Sequence, residues 1–565
     1  MKKWFYERND ELLKSPVNKT FEELLWMTEA EFQTWVAEMR AEVIRIWDQL
    51  GIPPRVGFNR QEIIEQFREM RSYPVHHPID GFEYIDEETG QKDCIRNNSI
   101  LGNAANQWFP TMMATKINYT SSTTEGLSIY DHFKEPELLS KMILYARRHF
   151  KRDSFYHYSY PVKSFSEGDN ITEYTKKYFI EPKEDAIAWI KAYEKNRSTH
   201  ENSFDYWLEA KDKDAKYTGY DENLRKLSCL QLTRDELNDL GDLVPEKCKT
   251  NIDYKNRELF QIRVFKRGQK IFPVGLKAFR ISVCQYAVNF PPLTAKYLYE
   301  KFTEEFKNQD QIVVWDPSAG WGGRILGAMS VENDHRRIHY IGTDPNTDHN
   351  TENGRTKYHE LADFYNKYTD SPFATNAPHT YEIFQCGSEV MREKKEFQKY
   401  KGKVDLVFTS PPYFAKELYS DDPEQSAIKF NTFDSWVEGF LRPTLETAVE
   451  YLRDERYLLW NIADAKFGNQ ILPLEKVSCE ILESLGMKNL GKLKMVLAQM
   501  PGGNRIDSET NKPLAKNFCR VKADSGKLIS GGLLDEQAKR KTKQKDIWFK
   551  YEPIFVFKKL NKSNS

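Results

Sequence analysis

A chain of 565 residues is longer than one hydrophobic core usually grows, so two or three domains are expected, and a formal net charge of -1 excludes the strongly basic balance of a wholesale polyanion binder. With 39% apolar and 30% charged residues and no run of eighteen apolar residues, the composition is that of a soluble globular protein without a helical membrane span. The charged start, residues 1–10, lacks the apolar core of a secretory signal, so a cytoplasmic location is expected, and the seven cysteines (94, 229, 248, 284, 386, 479 and 519) contain no Cys-x-x-Cys pair that would suggest zinc or a disulfide framework.

The first half reads as helical. Thr20 with Glu23 and Thr28 with Glu31 are capping-box patterns. Phe32, Trp35, Val36, Met39, Val43, Trp47 and Leu50 then recur at helical spacing until Gly51 and Pro53 stop the pattern. Further helical patterns fall near 60–70, 136–149 and 183–195, separated by aromatic-rich loops such as 155–160. The basic segment 263–268 interleaves charge with apolar residues, which suits either a phosphate contact or a solvated strand edge. His76 and His77 sit between prolines; neighbouring side chains on an extended loop point to opposite sides, so they are not expected to pair on a metal, and no metal is expected elsewhere. Residues 1–255 are thus expected to form a helix-rich domain for DNA recognition or partner binding, and 256–565 a second domain.

From 312 short apolar runs alternate with helical segments, the signature of a doubly wound α/β domain. Expected strands are 312–316, 339–344, 380–384, 404–408, 457–462 and 553–557. Ligands of such a sheet bind beyond the carboxyl ends of the strands. The first strand ends in Asp316, Pro317 and Ser318, and glycines at 320, 322 and 323 allow a tight turn and close ligand approach. The turn lacks the Lys-Ser/Thr of a phosphate loop, and Asp316 would repel a pyrophosphate, so a cofactor with a positive charge or amino group fits better. The second strand ends in Asp344, 28 residues on (344 minus 316), where an acid grips a ribose diol in this kind of fold. Cys386, Gly387, Ser388 and Glu389 follow the third strand as a small, polar wall.

The fourth strand ends in Thr409, Ser410, Pro411, Pro412, Tyr413 and Phe414. The prolines remove two N–H donors, leaving the Ser410 hydroxyl and backbone carbonyls as acceptors, while Tyr413 and Phe414 offer flat faces. Acceptors beside a stacking platform suit an aromatic amine, and hydrogen bonding at its N–H groups frees the nitrogen lone pair for attack.

This combination resembles the S-adenosylmethionine-dependent DNA amino-methyltransferases over residues 274–559, with residues 408–413 matching the version typical of enzymes that act on the 4-amino group of cytosine. The resemblance implies a Rossmann-like methyltransferase domain with S-adenosylmethionine lined by Asp316, Ser318, Gly320 and Gly322, its ribose held by Asp344, its adenine near Gly387 and Ser388, and its methionine end closed by the helix opening at Pro292. It implies that Ser410 and the Pro411 carbonyl accept from the target amine, with Pro412 fixing the backbone and Tyr413 stacking on a base flipped out of double-stranded DNA. Direct transfer needs no covalent intermediate, and the Pro-Cys of carbon-5 cytosine enzymes does not occur. Trp321 departs from the family's turn. Only 94 positions separate 316 from 410, too few for a recognition domain, which leaves the N-terminal half or an insertion at 501–549 to read sequence. The latter holds the basic run with Lys539, Arg540, Lys541 and Lys543, either a phosphate clamp on DNA or a solvated loop. Adenine in DNA is the second target; RNA, a protein amide, or a DNA-binding specificity protein of a restriction system with subsidiary or lost methylation stay open. Asp464 and Trp436 are neighbours for the target pocket, with a core place the simpler one for Trp436.

Overall fold

In the computed structural model the periodic run after Thr28 is α1 (Glu29–Leu50), which buries Phe32, Trp35, Val36, Met39, Val43 and Trp47 along one stripe. Apart from short breaks, the structure describes residues 29–50, 60–76, 82–99, 101–117, 127–135, 287–369, 378–497, 516–522 and 548–561, pieces of 14–27, and the strand backbones 178–180, 229–231, 259–261 and 264–266. The expected helices at 136–149 and 183–195, the loop at 155–160 and the basic residues Lys539, Arg540, Lys541 and Lys543 lie outside them.

Contacts divide the chain into two units, Met1–Val56 with Ile129–Gln285, and Gly57–Ser128 with Tyr286–Ser565. The division therefore does not fall at 255/256. In the first unit the Trp47 ring lies 4.6 Å from that of Tyr130, and Arg40 Nε donates to the Phe133 carbonyl at 2.8 Å. This unit is not helical throughout: Tyr178–Ile180 pairs with Val264–Lys266, and Cys229–Gln231 with Leu259–Gln261, so the basic segment at 263–268 carries a strand.

The second unit is built on an 11-stranded sheet. Its strands include β1 (Glu83–Asp86), β2 (Cys94–Arg96), β3 (Ile312–Asp316), β4 (Ile338–Thr343), β5 (Thr380–Phe384), β6 (Val404–Thr409), β7 (Leu452–Asn461), β8 (Met487–Val496) and β9 (Phe549–Lys559). The order is β5-β4-β3-β6-β7-β9-β8-β2-β1, parallel from β5 to β7, with β9 antiparallel to both β7 and β8. β3 is central, so the order reverses between β3 and β6, and that switch point is where a ligand crevice opens. Successive residues face opposite layers, as the pleat requires. Val407 joins Trp315 and Leu458 under helices α6 (Arg442–Tyr451) and α7 (Leu474–Ser484). Phe408 packs on Tyr299 of α3 (Pro292–Thr303), on the face that also carries α4 (Gly323–Ser330) and, packed on it, α5 (Lys357–Asn366).

Two stretches join this unit unexpectedly. Gly57–Ser128 supplies α2 (Arg60–Ser72), β1 and β2. The buried Lys296 ammonium on α3 donates to the carbonyls of Met70 at 3.1 Å and Tyr73 at 3.3 Å, closing the end of α2. Within the expected insertion at 501–549, Phe518–Cys519 pairs with β9 and Val521–Lys522 with β1, so that part is sheet.

Candidate active site

The turn after β3 is built around a carboxylate that is itself enclosed. Asp316 is 0% exposed. Its Oδ2 receives Arg324 Nε at 2.8 Å and the Tyr340 hydroxyl at 2.6 Å, and its Oδ1 receives the Thr409 hydroxyl at 2.7 Å and the Ser318 N–H at 3.2 Å. The expectation that this acid faces a positive group on a cofactor is met instead by Arg324, a buried internal partner, and Asp316 holds the turn's shape. Thr409 also accepts from the Ser318 N–H at 3.2 Å, so one hydroxyl ties the turn to the end of β6. Gly322 has φ +76°, and a Cβ there would lie 2.4 Å from Phe109 Cε2. Only glycine fits both the backbone and the space. Asn289 accepts from the Gly323 N–H at 3.2 Å and donates to the Trp321 carbonyl at 2.7 Å, fastening the segment before α3 to the turn; Pro292 is buried at the start of α3.

Asp344 follows β4 at the mouth of the crevice. Its Oδ2 accepts from the Gly320 N–H at 2.9 Å and its Oδ1 from the Asn346 N–H at 3.0 Å, and each oxygen retains acceptor capacity. Burial pushes its pKa up to about 6, against the pull of these N–H groups and the Tyr358 hydroxyl. After β5, the Ser388 hydroxyl pairs with that of Thr444 at 2.9 Å rather than facing the crevice. At Gly387 a Cβ would meet the Glu389 carboxylate at 2.1 Å, so that carboxylate folds back over the glycine. The Glu389 side chain is 5% exposed; Oε1 pairs with Lys429 at 3.1 Å, while Oε2 is buried with no hydrogen-bond partner. An unsatisfied buried acceptor is costly, and a ligand amino group would satisfy it. Asp344, Glu389 and the glycine turn together fit an aminated nucleoside group.

The hook after β6 stands beside this turn because β6 pairs in parallel with β3. Ser410, Pro412 and Tyr413 are half-buried and Pro411 is buried. The Tyr413 phenol donates to Glu552 of β9 and also interacts with the Ser410 hydroxyl. Burial, then the Glu552 charge, raises the Tyr413 pKa well above its usual value. Phe414, expected to offer a face to a ligand, is 4% exposed, has φ +54°, and packs on Trp436 and Phe433. Its residence in the left-handed region is strained for an aromatic residue and accompanies the seating of its ring in the core. Trp436 is 0% exposed and belongs to that core. Asp464 and Glu475 cap each other's backbone N–H groups at 3.1 and 3.2 Å, opening α7.

Sequence reasoning missed Glu417, Tyr419, Phe109 and Glu552. Tyr419 donates to Glu417 at 2.7 Å and its ring lies edge-on to Trp321 at 5.1 Å. The segment 116–117 pairs with 417–418, which brings part of Gly57–Ser128 to this wall.

The strand order and two-sided helical cover are those of a Rossmann-like, doubly wound α/β fold. No family model and no curated protein matches the chain. It is similar to a solved structure from Listeria monocytogenes provisionally described as a class I S-adenosylmethionine-dependent methyltransferase (14% identity over 48% of this chain and 59% of that one, TM-score 0.25). A TehB-like S-adenosylmethionine-dependent methyltransferase from Corynebacterium glutamicum is similar at 12% identity over 44% and 80% of the two chains, TM-score 0.20. A protein from Thermus thermophilus provisionally described as a DNA modification methylase, complexed with S-adenosyl-L-methionine, is similar at 17% identity over 31% and 53%, TM-score 0.16. The chain thus spans little more than half of the first and third of these proteins.

Proposed function

We propose that the protein is an S-adenosylmethionine-dependent DNA methyltransferase that modifies the exocyclic amino group of a flipped base, the 4-amino group of cytosine first and the 6-amino group of adenine second. The observation that carries this reading is the Thr409 hydroxyl, which binds the Ser318 N–H of the glycine turn and the Asp316 carboxylate while ending the strand that opens into Ser410. An acceptor-rich hook is thereby fixed beside a nucleoside-fitting turn, which is the proximity that transfer between two bound groups needs. Bound there, the cofactor supplies an electrophilic methyl group on a sulfonium. Asp344 binds the ribose diol, Glu389 Oε2 accepts from the adenine amine, and Ser410 with the Pro411 carbonyl orients the target amine. Pro412 keeps the hook rigid, and the Tyr413 ring face supports the base. The run with Lys539, Arg540, Lys541 and Lys543 is proposed to clamp DNA phosphates.

The test is incubation of plasmid DNA with methyl-labelled S-adenosylmethionine, then mass analysis of the released nucleosides. Methylcytosine is the expected product, methyladenine supports the second target, and label in RNA alone would refute DNA as substrate. Ser410→Ala is expected to lower incorporation by about a hundredfold or more while the cofactor still binds; undiminished incorporation would remove Ser410 from the site.

A further inference from the structure

Methyl transfer to an amine leaves a proton to be removed, and the hook itself has nowhere to put it. Its prolines carry no N–H, and a serine hydroxyl is not a base near neutral pH. Asp316 is taken up by Arg324, Tyr340, Thr409 and Ser318, and Asp464 by the Glu475 N–H and Lys516, while Asp344 and Glu389 Oε2 are assigned above to the cofactor's ribose and adenine. A line of polar contacts does leave the hook, ending in a hydrogen bond from Tyr413 to Glu552. The Ser410 hydroxyl interacts with the Tyr413 oxygen, and the Tyr413 phenol donates to the Glu552 carboxylate.

We infer that Glu552 is the terminal proton acceptor of the reaction, reached from the target amine through the Ser410 and Tyr413 hydroxyls. This rests on the amino-methyltransferase reading above. The amine lone pair forms the N–C bond as the C–S bond breaks, and that bond's electrons stay on sulfur, which becomes a neutral thioether. The nitrogen, now cationic, keeps the electrons of one N–H bond and releases its proton to Ser410 Oγ. Ser410 passes its own proton to Tyr413 Oη, and Tyr413 passes its own to Glu552. The products are a neutral methylated amine and a protonated Glu552, which returns its proton to water between turnovers.

The surroundings suit an acceptor working near neutral pH. Burial lifts the Glu552 carboxyl above its ordinary range, against the Tyr413 hydrogen bond and the Lys550 charge. Glu417 is raised by burial and by the charge of Glu552, and Tyr419 donates to it. The negative charge of Glu552 thus also favours the protonated form of Glu417. From β8, the residue opposite Glu552 is Met495, which has no charge.

The test uses the full chain with labelled cofactor and plasmid DNA in single turnover, from about pH 5 to about pH 9. Glu552→Gln, which still accepts from Tyr413 but cannot take its proton, is expected to slow transfer about a hundredfold and to abolish the acid limb of the profile, with cofactor affinity within about twofold of wild type. Tyr413→Phe is expected to match it, and Glu552→Asp to restore part of the rate together with the limb. In the cofactor-free protein, carboxyl-carbon NMR is expected to place the Glu552 titration above the ordinary glutamate value of about 4.3. The relay is overturned by a wild-type rate in Glu552→Gln, by equal slowing in Gln and Asp with the acid limb intact, or by an ordinary Glu552 titration. A wild-type protein that binds cofactor yet methylates no DNA, RNA or protein would overturn the underlying reading as well.

Discussion

Asp316 and Asp344 end neighbouring strands, and their side chains meet opposite surroundings. Asp316 is sealed against Arg324, a residue only 4% exposed. Removing one member of a buried pair strands the other, so Arg324→Leu is expected to lower unfolding free energy by about 3–5 kcal/mol. Adding Asp316→Asn should return part of that loss. Denaturant unfolding measures both, and an additive pair of losses would refute the coupling. Asp344, by contrast, titrates where binding can be measured. With its pKa near 6, the anion that accepts from a ribose diol disappears as pH falls through that value. Cofactor Kd is therefore expected to rise roughly tenfold per pH unit below about 6, as for a single proton, and Asp344→Asn should bind weakly with a flat profile. The sign of linkage keeps this distinct from unfolding. A carboxyl whose folded pKa exceeds its unfolded one favours the folded state as pH falls, so Asp344 itself does not destabilise the protein in that window. A pH-independent Kd by calorimetry would sink the ribose assignment.

Elements differed in how openly the sequence displayed them. β3 was readable to the residue and β6 nearly so, because strands covered on both faces are largely apolar runs, and β5 was readable to the residue although, as a half-buried end strand, it carries Thr380 and Glu382. β8 was not, since Lys488, Lys492 and Lys494 break its pattern, and the buried Lys494 is accommodated by a tertiary partner, Asp86. The glycine turn was legible as a turn, but its tightness was not: Phe109, which closes on Gly322, is 213 residues away (322 minus 109). The same holds for the hook, whose position was plain while the Tyr413 partner, Glu552, lies 139 residues on. Gly322 and Gly90 separate two costs, since both have positive φ but a Cβ at Gly90 would meet nothing within 4 Å. Gly90→Ala is expected to lose about 1 kcal/mol from backbone strain alone, and Gly322→Ala about 2–4 kcal/mol because Phe109 must also move. Equal losses in thermal unfolding would show that Phe109 yields freely.

At the scale of the molecule, the segment Gly57–Ser128 completes the sheet domain from far away in sequence. Glu83 receives both Tyr297 and Lys301, Thr294 donates to the Arg96 carbonyl at 2.9 Å, and Tyr365 to that of Ala104 at 2.7 Å. No local pattern could announce this, because α2, β1 and β2 read as part of a helical half and their partners come some 200 residues later. The join is concentrated at Lys494 of β8, whose ammonium reaches Asp86 at 2.5 Å and Asp93 at 2.7 Å. Burial works against its charge, but the two carboxylates outweigh it and hold its pKa above the usual lysine value, so this contribution persists throughout the neutral range and is lost only in strong alkali. These three side chains also account for the cluster of Asp86, Asp93 and Cys94, which is filled by an ammonium. Lys494→Met leaves two carboxylates without their cation and is expected to cost about 3 kcal/mol, most of it recovered by adding Asp86→Asn and Asp93→Asn. Lys494 is also next to Met495, the residue paired with Glu552 across the ladder. Loosening β8 there should slow methyl transfer in Lys494→Met more than it weakens cofactor binding, because the turn and Asp344 lie on the other side of the switch point. Equal losses in rate and affinity would instead mean that the whole sheet responds as one body.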